Sequence, residues 1–559
     1  MSSSIPDAPT LVLDLPGGAT QEFTLSKAAV VIGRATTSDI VVREWNVSRN
    51  HARVERTPDG FEIVDLGSLN GTLVNGRRQT RSPLTPGDLL TLGGATFRFD
   101  PSRAEAANVT QVSAPPDPNA TLAGISLPVN LEESTFARVA VHTAEKTWEV
   151  AMTGDALTIG RDSPNDIVLD TPAVSRRHAV IERSGAGFVI RDLQSRNGTW
   201  LRRERVSDAA LNDGDTVVIG TAQLVFKSAV SPEGLAADED APRATGRRPV
   251  VVIPGFAGSN LWLGSEQIWP TLRMHEIADL LNMRHALEPK GIVDEVVIVP
   301  NLIRLDQYGV LTGYLREALG YEAGKDLLEF AYDFRQDNRD SARRLAAALE
   351  DWNPSTPITI IAHSMGSLVA RYYVERLGGK KRVERLILLG GPHAGTPYAV
   401  ASLLKGPDLL PLGFMNLRLR DAIATFPSWY QILPTYECVT CQSAPLHVLR
   451  DDWWLQEAQR LLLRQAAAFR AELASKPAVP TICVFGYGFD TVTSAALDRD
   501  SRGSLRDANF TIAKAGDGTI PESSAVMKHA EIHPVRQHHG ALYVDNDVKM
   551  RLKLELTRP

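Results

Sequence analysis

A serine, an acid and a histidine stand in the C-terminal half of this chain, in an order that suits covalent catalysis. Ser364 lies in Ala362-His363-Ser364-Met365-Gly366, between small residues that let the backbone turn sharply and lift its hydroxyl clear. A serine hydroxyl is a strong nucleophile only beside a base, and the base needs an acid to fix its tautomer. Asp517, between Gly516 and Gly518, sits on a loop that can point into a site and is read as the acid; Asp490, at a strand end, competes with it. The base belongs to Gln537-His538-His539-Gly540, where two adjacent histidines offer the same chemistry. Such a set attacks a carbonyl carbon and passes through a covalent intermediate.

The flanking residues predict the elements that position this set. Ile358-Thr359-Ile360-Ile361 is an apolar, β-branched run and reads as a buried strand. After the serine, Leu368, Val369, Tyr372, Tyr373, Arg376 and Leu377 recur at helical spacing, and Gly378 is the stop. Strand, tight turn and helix with serine at the apex is a nucleophile elbow; its usual first glycine is here Ala362. Upstream, the strand Val250–Ile253 runs into Pro254-Gly255-Phe256-Ala257-Gly258-Ser259. The backbone N–H of Phe256 and that of Met365 are the candidates for an oxyanion hole, which receives charge that develops during attack. From Pro249 apolar strands alternate with helical stretches, the pattern of an α/β fold, with Pro480–Gly486 as another core strand. Residues 399–478 are long for one connection and carry Leu404, Leu409, Trp429, Trp453 and Trp454, as expected of a cap that either receives acyl chains or only packs. His393, in Gly391-Pro392-His393-Ala394, is read as structural.

The first half of the chain repeats itself at an offset of 127 positions. Val31-Ile32-Gly33-Arg34 returns as Thr158-Ile159-Gly160-Arg161, Ser48-Arg49-Asn50-His51 as Ser175-Arg176-Arg177-His178, and Asn70-Gly71-Thr72 as Asn197-Gly198-Thr199. Short alternating runs separated by turns predict a β-sandwich, present twice. In these motifs the chain resembles the forkhead-associated (FHA) domain, over about residues 10–100 and 136–228. The resemblance implies recognition of phosphothreonine by loops at one end of each sandwich. A phosphate dianion needs a fixed cationic fork with hydroxyl and amide donors. Arg34, Ser48, Arg49 and Asn70 would supply these in the first repeat, and Arg161, Ser175, Arg176 and Asn197 in the second. By the same analogy His51 and His178 brace the loops, and Gly71 and Gly198 shape the turn. The alternative for either repeat is lost binding and a packing role alone.

The last part, about 249–559, resembles the lecithin:cholesterol acyltransferase (LCAT) family. Pro254–Ser259, Phe330-Ala331-Tyr332-Asp333-Phe334-Arg335, Ala362–Gly366, Gly516-Asp517-Gly518-Thr519-Ile520-Pro521 and a closing His-Gly-x-Leu carry the resemblance. It implies an α/β-hydrolase domain, attack by serine on an ester, an acyl-enzyme, and transfer to water or a hydroxyl. It places the base at His539, with His538 second. The chain departs from the family in lacking a secretion signal and in carrying two FHA repeats, which speaks against a plasma-lipoprotein substrate.

Composition limits the remaining classes. Lys and Arg number 60 against 66 Asp and Glu, for a net charge of −6, which argues against broad nucleic-acid binding. No apolar run is long enough to cross a bilayer, and Met1 to Pro9 are small and polar. Three cysteines make no disulfide framework; Cys438 and Cys441 lack a second pair for zinc and are either a local disulfide or buried thiols. A cytoplasmic, soluble protein without metal or organic cofactor is expected. Residues 101–135 read as a flexible linker, whose Thr110 and Thr121 are either phosphorylated and captured by an FHA repeat or unmodified spacer. Residues 229–248 read as a second tether, separating recognition from chemistry. The sum is a multidomain chain: two all-β FHA sandwiches plus an α/β-hydrolase domain with a cap insertion. It is expected to act as a phosphothreonine-directed lipid esterase, lipase or O-acyltransferase; the alternative is a phosphopeptide adaptor with an inactive hydrolase-like scaffold.

Overall fold

The computed structural model describes residues 10–100 except 15–19, 26, 28, 34–37, 43–46, 48–50, 58–59, 67, 69–71, 76 and 93–94, and residues 136–557 except 186, 230–246, 271–278, 280, 300–302, 307 and 408–418. Within 10–100 the alternating runs form one six-stranded and one five-stranded sheet. Alternation sends every second side chain inward, so Leu11, Ile32, Val54, Ile63, Leu90 and Phe97 form one core. Residues 136–228 repeat this architecture strand for strand. The repeat extends to register: Ile32 pairs with Ile40 in the first sandwich, and Ile159 with Ile167 in the second.

In the second sandwich, β1 (Arg138–His142), β2 (Thr147–Ala151) and β3 (Ala222–Lys227) are neighbours, in the order β2-β1-β3. Val139, Val141, Leu224 and Phe226 belong to the sandwich core. Ala140 and Val225, at the alternate positions, belong to a different cluster described below.

Beyond these lies a six-stranded sheet. Its members are β4 (Val250–Ile253), β5 (Leu327–Glu329), β6 (Ile358–His363), β7 (Val383–Leu389), β8 (Thr481–Gly486) and β9 (Glu531–Val535). The order is β5-β4-β6-β7-β8-β9, and every adjacent pair is parallel. A parallel sheet covered on both faces needs apolar residues at consecutive positions, and β4 and β6 are buried along their whole length. Helix α1 (Asn338–Trp352) is capped by the Asp337 side chain, which accepts from Arg339 N. Helix α2 (Gly366–Arg376) follows β6 directly and buries Leu368, Val369, Tyr372 and Tyr373. Residues 390–480 are inserted between β7 and β8 and include a helix at Pro397–Lys405 and α3 (Glu457–Glu472). The chain ends in α4 (Asn546–Thr557).

Two features of the sequence acquire a structural role here. Arg335 is fully buried. Its guanidinium meets Asp333 at 2.7 Å and donates to the carbonyls of Leu281, Asn282 and His285 at 3.0, 3.2 and 3.1 Å. A buried cation needs such partners, and these fasten the 281–285 loop to the sheet. Of the two states open to Cys438 and Cys441, both are free thiols.

One expectation needs correction. A tether at 229–248 implies that recognition is held apart from chemistry, yet the second sandwich is packed against the parallel sheet. Ala140 and Val225 share one buried cluster with Phe485, Ile520, Ala525 and Ile532. Lys227 is 1% exposed and meets Glu149 at 2.7 Å, Asp547 of α4 at 3.3 Å, and the carbonyl of Pro534. Arg138 also pairs with Asp547. Burial would push the Asp547 carboxyl up, but Lys227 and Arg138 hold it below the usual carboxylate range. Alternation tells which side chains leave a sandwich core; it does not tell what they meet outside.

Candidate active site

Ser364 stands between β6 and α2 with φ of +52°, in the left-handed region that costs a non-glycine residue about 1–2 kcal/mol. Its N–H donates to the Leu389 carbonyl at the end of β7. The turn admits no bulk on its far side: a Cβ on Gly255 would stand 2.7 Å from the Ser364 Cβ. Ala362 is fully buried in the strand, so the methyl that replaces the usual glycine is accommodated there.

The three residue types meet at this turn. His539 Nε2 is 2.8 Å from Ser364 Oγ, and His539 Nδ1 is 2.7 Å from Asp517 Oδ2. Asp517 is 0% exposed, and its other oxygen accepts the N–H groups of Thr519 at 3.0 Å and Ile520 at 2.7 Å. His539 N donates to the Asp517 carbonyl, so backbone and side chain hold the pair together. His538 is turned away, with its ring against Phe489. Asp490 is exposed on the long hairpin of Phe489–Arg499 and Leu505–Gly516. His393 is half-buried, with its Nε2 3.8 Å from Cys483 Sγ. Burial, then the charges of Arg371 and Arg470, pull its pKa well below the usual histidine value.

Sequence reasoning missed a strut behind the serine. Tyr308 OH accepts from Gly255 N at 2.7 Å and lies 2.6 Å from His363 Nδ1. His363 Nε2 lies 2.9 Å from the His539 carbonyl, which only accepts, so Nε2 carries the proton and Nδ1 takes the tyrosine's. Burial, reinforced by neighbouring His539, holds His363 neutral. One chain of hydrogen bonds thus ties the Gly255 loop, the elbow and the His539 loop together. His363 adjoins Ser364 in sequence; nothing near Tyr308 signals its part, because the contact spans 55 positions.

A cleft of about 650 Å³ opens over Ser364, lined by Phe256, Met365, Trp429, Ile432, Ile520, His539 and Tyr543 among others. Phe256 also lines a second, wholly apolar pocket of about 340 Å³ with Trp269, Leu281, Phe334, Leu419, Ile423 and Phe426. The Phe256 ring meets Phe334 and Trp429 edge-on, with centroids 4.8 and 4.7 Å apart.

The motif loops of the second sandwich also converge. Arg161 N donates to the Ser175 carbonyl, and Asn165 Nδ2 to the Arg176 carbonyl at 2.8 Å. His178 is 0% exposed; its Nδ1 accepts from Ser175 N at 3.1 Å, so Nε2 donates to the Gly198 carbonyl at 3.2 Å. Gly198 adopts φ of +80°, which a side chain would strain. Ser175 Oγ accepts from Arg196 N at 3.1 Å, and Asn197 Nδ2 donates to the Ala173 carbonyl at 2.7 Å. Arg176 and Asn197 are exposed at this end. Arg34, Ser48, Arg49 and Asn70 lie outside the described residues, as do Thr110 and Thr121.

Comparison with known proteins places these regions. The FHA domain family model matches residues 30–93 and 157–220, and the lecithin:cholesterol acyltransferase model matches residues 304–458. The chain therefore carries two FHA domains followed by a lecithin:cholesterol acyltransferase domain. Its relatives include the transcriptional regulatory protein EmbR of Mycobacterium bovis, 45% identical over 80 residues, covering 14% of this chain and 21% of that protein. The glycogen accumulation regulator GarA of Mycolicibacterium smegmatis is 48% identical over 67 residues, covering 12% and 42%. The chain spans about a fifth of the length of the first curated relatives it matches. Among solved structures, Mycobacterium tuberculosis EmbR in complex with a low-affinity phosphopeptide is 38% identical, with a TM-score of 0.16 over 17% of this chain and 25% of that one. No helix among the described residues is long and apolar enough to cross a membrane.

Proposed function

We propose that the C-terminal region is an α/β hydrolase that cleaves or transfers carboxylic acyl esters through Ser364, and that phosphothreonine partners recruit it through its FHA domains. The observation that carries the reading is the unbroken set of contacts from Ser364 Oγ through His539 to Asp517 at the floor of a cleft with mostly apolar walls. His539 Nε2 takes the Ser364 proton while Oγ attacks the ester carbonyl carbon. Asp517 keeps the other proton on Nδ1 and supports the imidazolium that forms. The N–H groups of Phe256 and Met365, both of which line the cleft, receive the developing oxyanion. Collapse of the tetrahedral intermediate expels the alcohol with the proton from His539. Water or an acceptor hydroxyl then repeats the sequence on the acyl-enzyme.

Residues 399–478 act as a cap in this reading, since Leu419, Ile423, Phe426, Trp429 and Ile432 from it wall the two pockets. An apolar pocket favours an acyl chain by about 0.8 kcal/mol for each methylene it buries, about fourfold in kcat/KM. At the other end, Arg161, Ser175 and Arg176 would hold the phosphate and Asn197 the peptide backbone.

The test is hydrolysis of p-nitrophenyl esters of increasing chain length by the purified protein and by Ser364→Ala. Activity that vanishes with the serine and rises with chain length is expected. A folded wild type as inert as the variant, with phosphothreonine peptide present as well as absent, would leave the adaptor reading in its place.

A further inference from the structure

The catalytic acid loop is held from two sides, and one side is the second FHA sandwich. Within residues 516–525, Thr519 O accepts from Thr396 Oγ1 at 2.7 Å, and Ser524 Oγ donates to the Gly395 carbonyl; both partners belong to the hydrolase body. From the second sandwich, Thr147 Oγ1, at the start of β2, donates to Glu522 Oε2. The same hydroxyl accepts from His142 Nδ1 at 2.8 Å, its own proton being used toward the carboxylate. His142 stacks edge-on against Phe485 of β8 at 5.3 Å. Ile520 makes the connection to chemistry direct. Its N–H holds Asp517 Oδ1 at 2.7 Å, it lines the cleft, and its side chain shares a buried cluster with Ala140 and Val225 of the sandwich.

We propose that the second FHA sandwich is a working part of the catalytic centre, and that Thr147 is a positioning residue which, through Glu522 and the Ile520 backbone, fixes Asp517 against His539. This rests on the catalytic reading above. Glu522 is only 8% exposed, and a carboxyl group so buried, ionised or protonated, needs a hydrogen-bond partner. Thr147 supplies it from the sandwich. Asp517 in turn has its Oδ1 set by Thr519 and Ile520, which lie between it and Glu522. A loop this short transmits a displacement at one end to the other. Misplacement of a catalytic group by a fraction of an ångström costs turnover without altering how the ester is bound.

The experiment uses the full chain and compares Thr147→Val, which keeps the shape and removes the hydroxyl, with Thr147→Ser, which restores it. Expected is a fall in kcat of about tenfold in Thr147→Val with KM unchanged, and recovery to within about twofold in Thr147→Ser. A second readout does not depend on turnover: the downfield proton resonance of the His539–Asp517 hydrogen bond should move or broaden in Thr147→Val alone. Thermal midpoints separate this from a loss of folded protein. An unchanged resonance in Thr147→Val overturns the proposal, as does a kcat that equals wild type once corrected for the folded fraction. A wild type without Ser364-dependent turnover removes the catalytic reading instead, while the resonance still reports whether Thr147 positions the pair.

Discussion

Asp517 illustrates how little a side chain's identity decides by itself. Its carboxylate is buried, accepts two backbone N–H groups with one oxygen and keeps the other for His539 Nδ1. Asparagine would occupy the same space but would present a donor to the histidine and favour the wrong tautomer. Asp517→Asn is therefore expected to lower kcat by about four orders of magnitude with KM little changed, read by steady-state kinetics on a p-nitrophenyl ester. Tyr308 makes a different kind of contribution. Its hydroxyl accepts from Gly255 N and donates to His363, so Tyr308→Phe leaves a buried donor and a buried acceptor unsatisfied. A loss of about 1–3 kcal/mol in chemical unfolding is expected, with a fall in kcat because the Phe256 loop and the His539 loop lose their common anchor. Unchanged stability would mean that solvent replaces the hydroxyl.

At the scale of elements, the short segment Glu522–Ala525 carries a titration into the packing between β2 and the acid loop. Burial pushes the Glu522 carboxyl up to about 7, the hydrogen bond from Thr147 opposes this, and the charge of Asp517 adds to it. A carboxyl whose folded-state pKa is raised favours the fold while protonated. Its contribution is full below the unfolded value near 4.5 and is lost as pH rises through about 7. Glu522→Gln should therefore show a shallower decline in thermal midpoint between pH 4.5 and 7.5 than the wild type, and a higher midpoint above pH 7. Asp545, raised to about 6 by burial and by neighbouring Asp547, titrates in the same window in both proteins, so the difference isolates Glu522. Parallel midpoint curves would show that Glu522 ionises as freely in the fold as in the unfolded chain.

For the whole molecule, the two FHA repeats divide the recognition question. In the second, Arg161, Ser175, Arg176 and Asn197 lie on loops cross-linked by His178, and Arg176 and Asn197 reach solvent. Charge-assisted hydrogen bonds contribute about 1.5–3 kcal/mol, so Arg176→Ala is expected to weaken a phosphothreonine peptide by about tenfold to a hundredfold. Calorimetry on Arg176→Ala, Arg49→Ala and the double variant, with the unphosphorylated peptide as control, reads the contribution of each repeat. If Arg176→Ala binds as tightly as wild type and Arg49→Ala does not, the second repeat is a packing module and the first does the binding.

The repeat and the elbow were legible in the sequence because short runs of adjacent residues carry each of them. A 127-residue offset survives as strand register, and a β-branched run ending at Ala362-His363-Ser364 can hardly be anything but a strand running into a turn. Which histidine faces Ser364 could not be settled by residue chemistry, since His538 and His539 differ only in the direction their backbone points them. Resemblance to a family favoured His539, and the tertiary structure puts its Nε2 at 2.8 Å from the serine. Tyr308 and the docking of β1 and β3 were invisible for the same physical reason: both depend on groups brought together across long stretches of chain. Alternation marks Ala140, Val225 and Lys227 as facing away from their own sandwich, while only the packed molecule supplies Ile520, Ile532 and Asp547 for them to meet. The sequence by itself determined which reactive side chains are available; the tertiary structure decided which of them stand within hydrogen-bond distance, because contacts such as Ser364 to His539 span 175 positions.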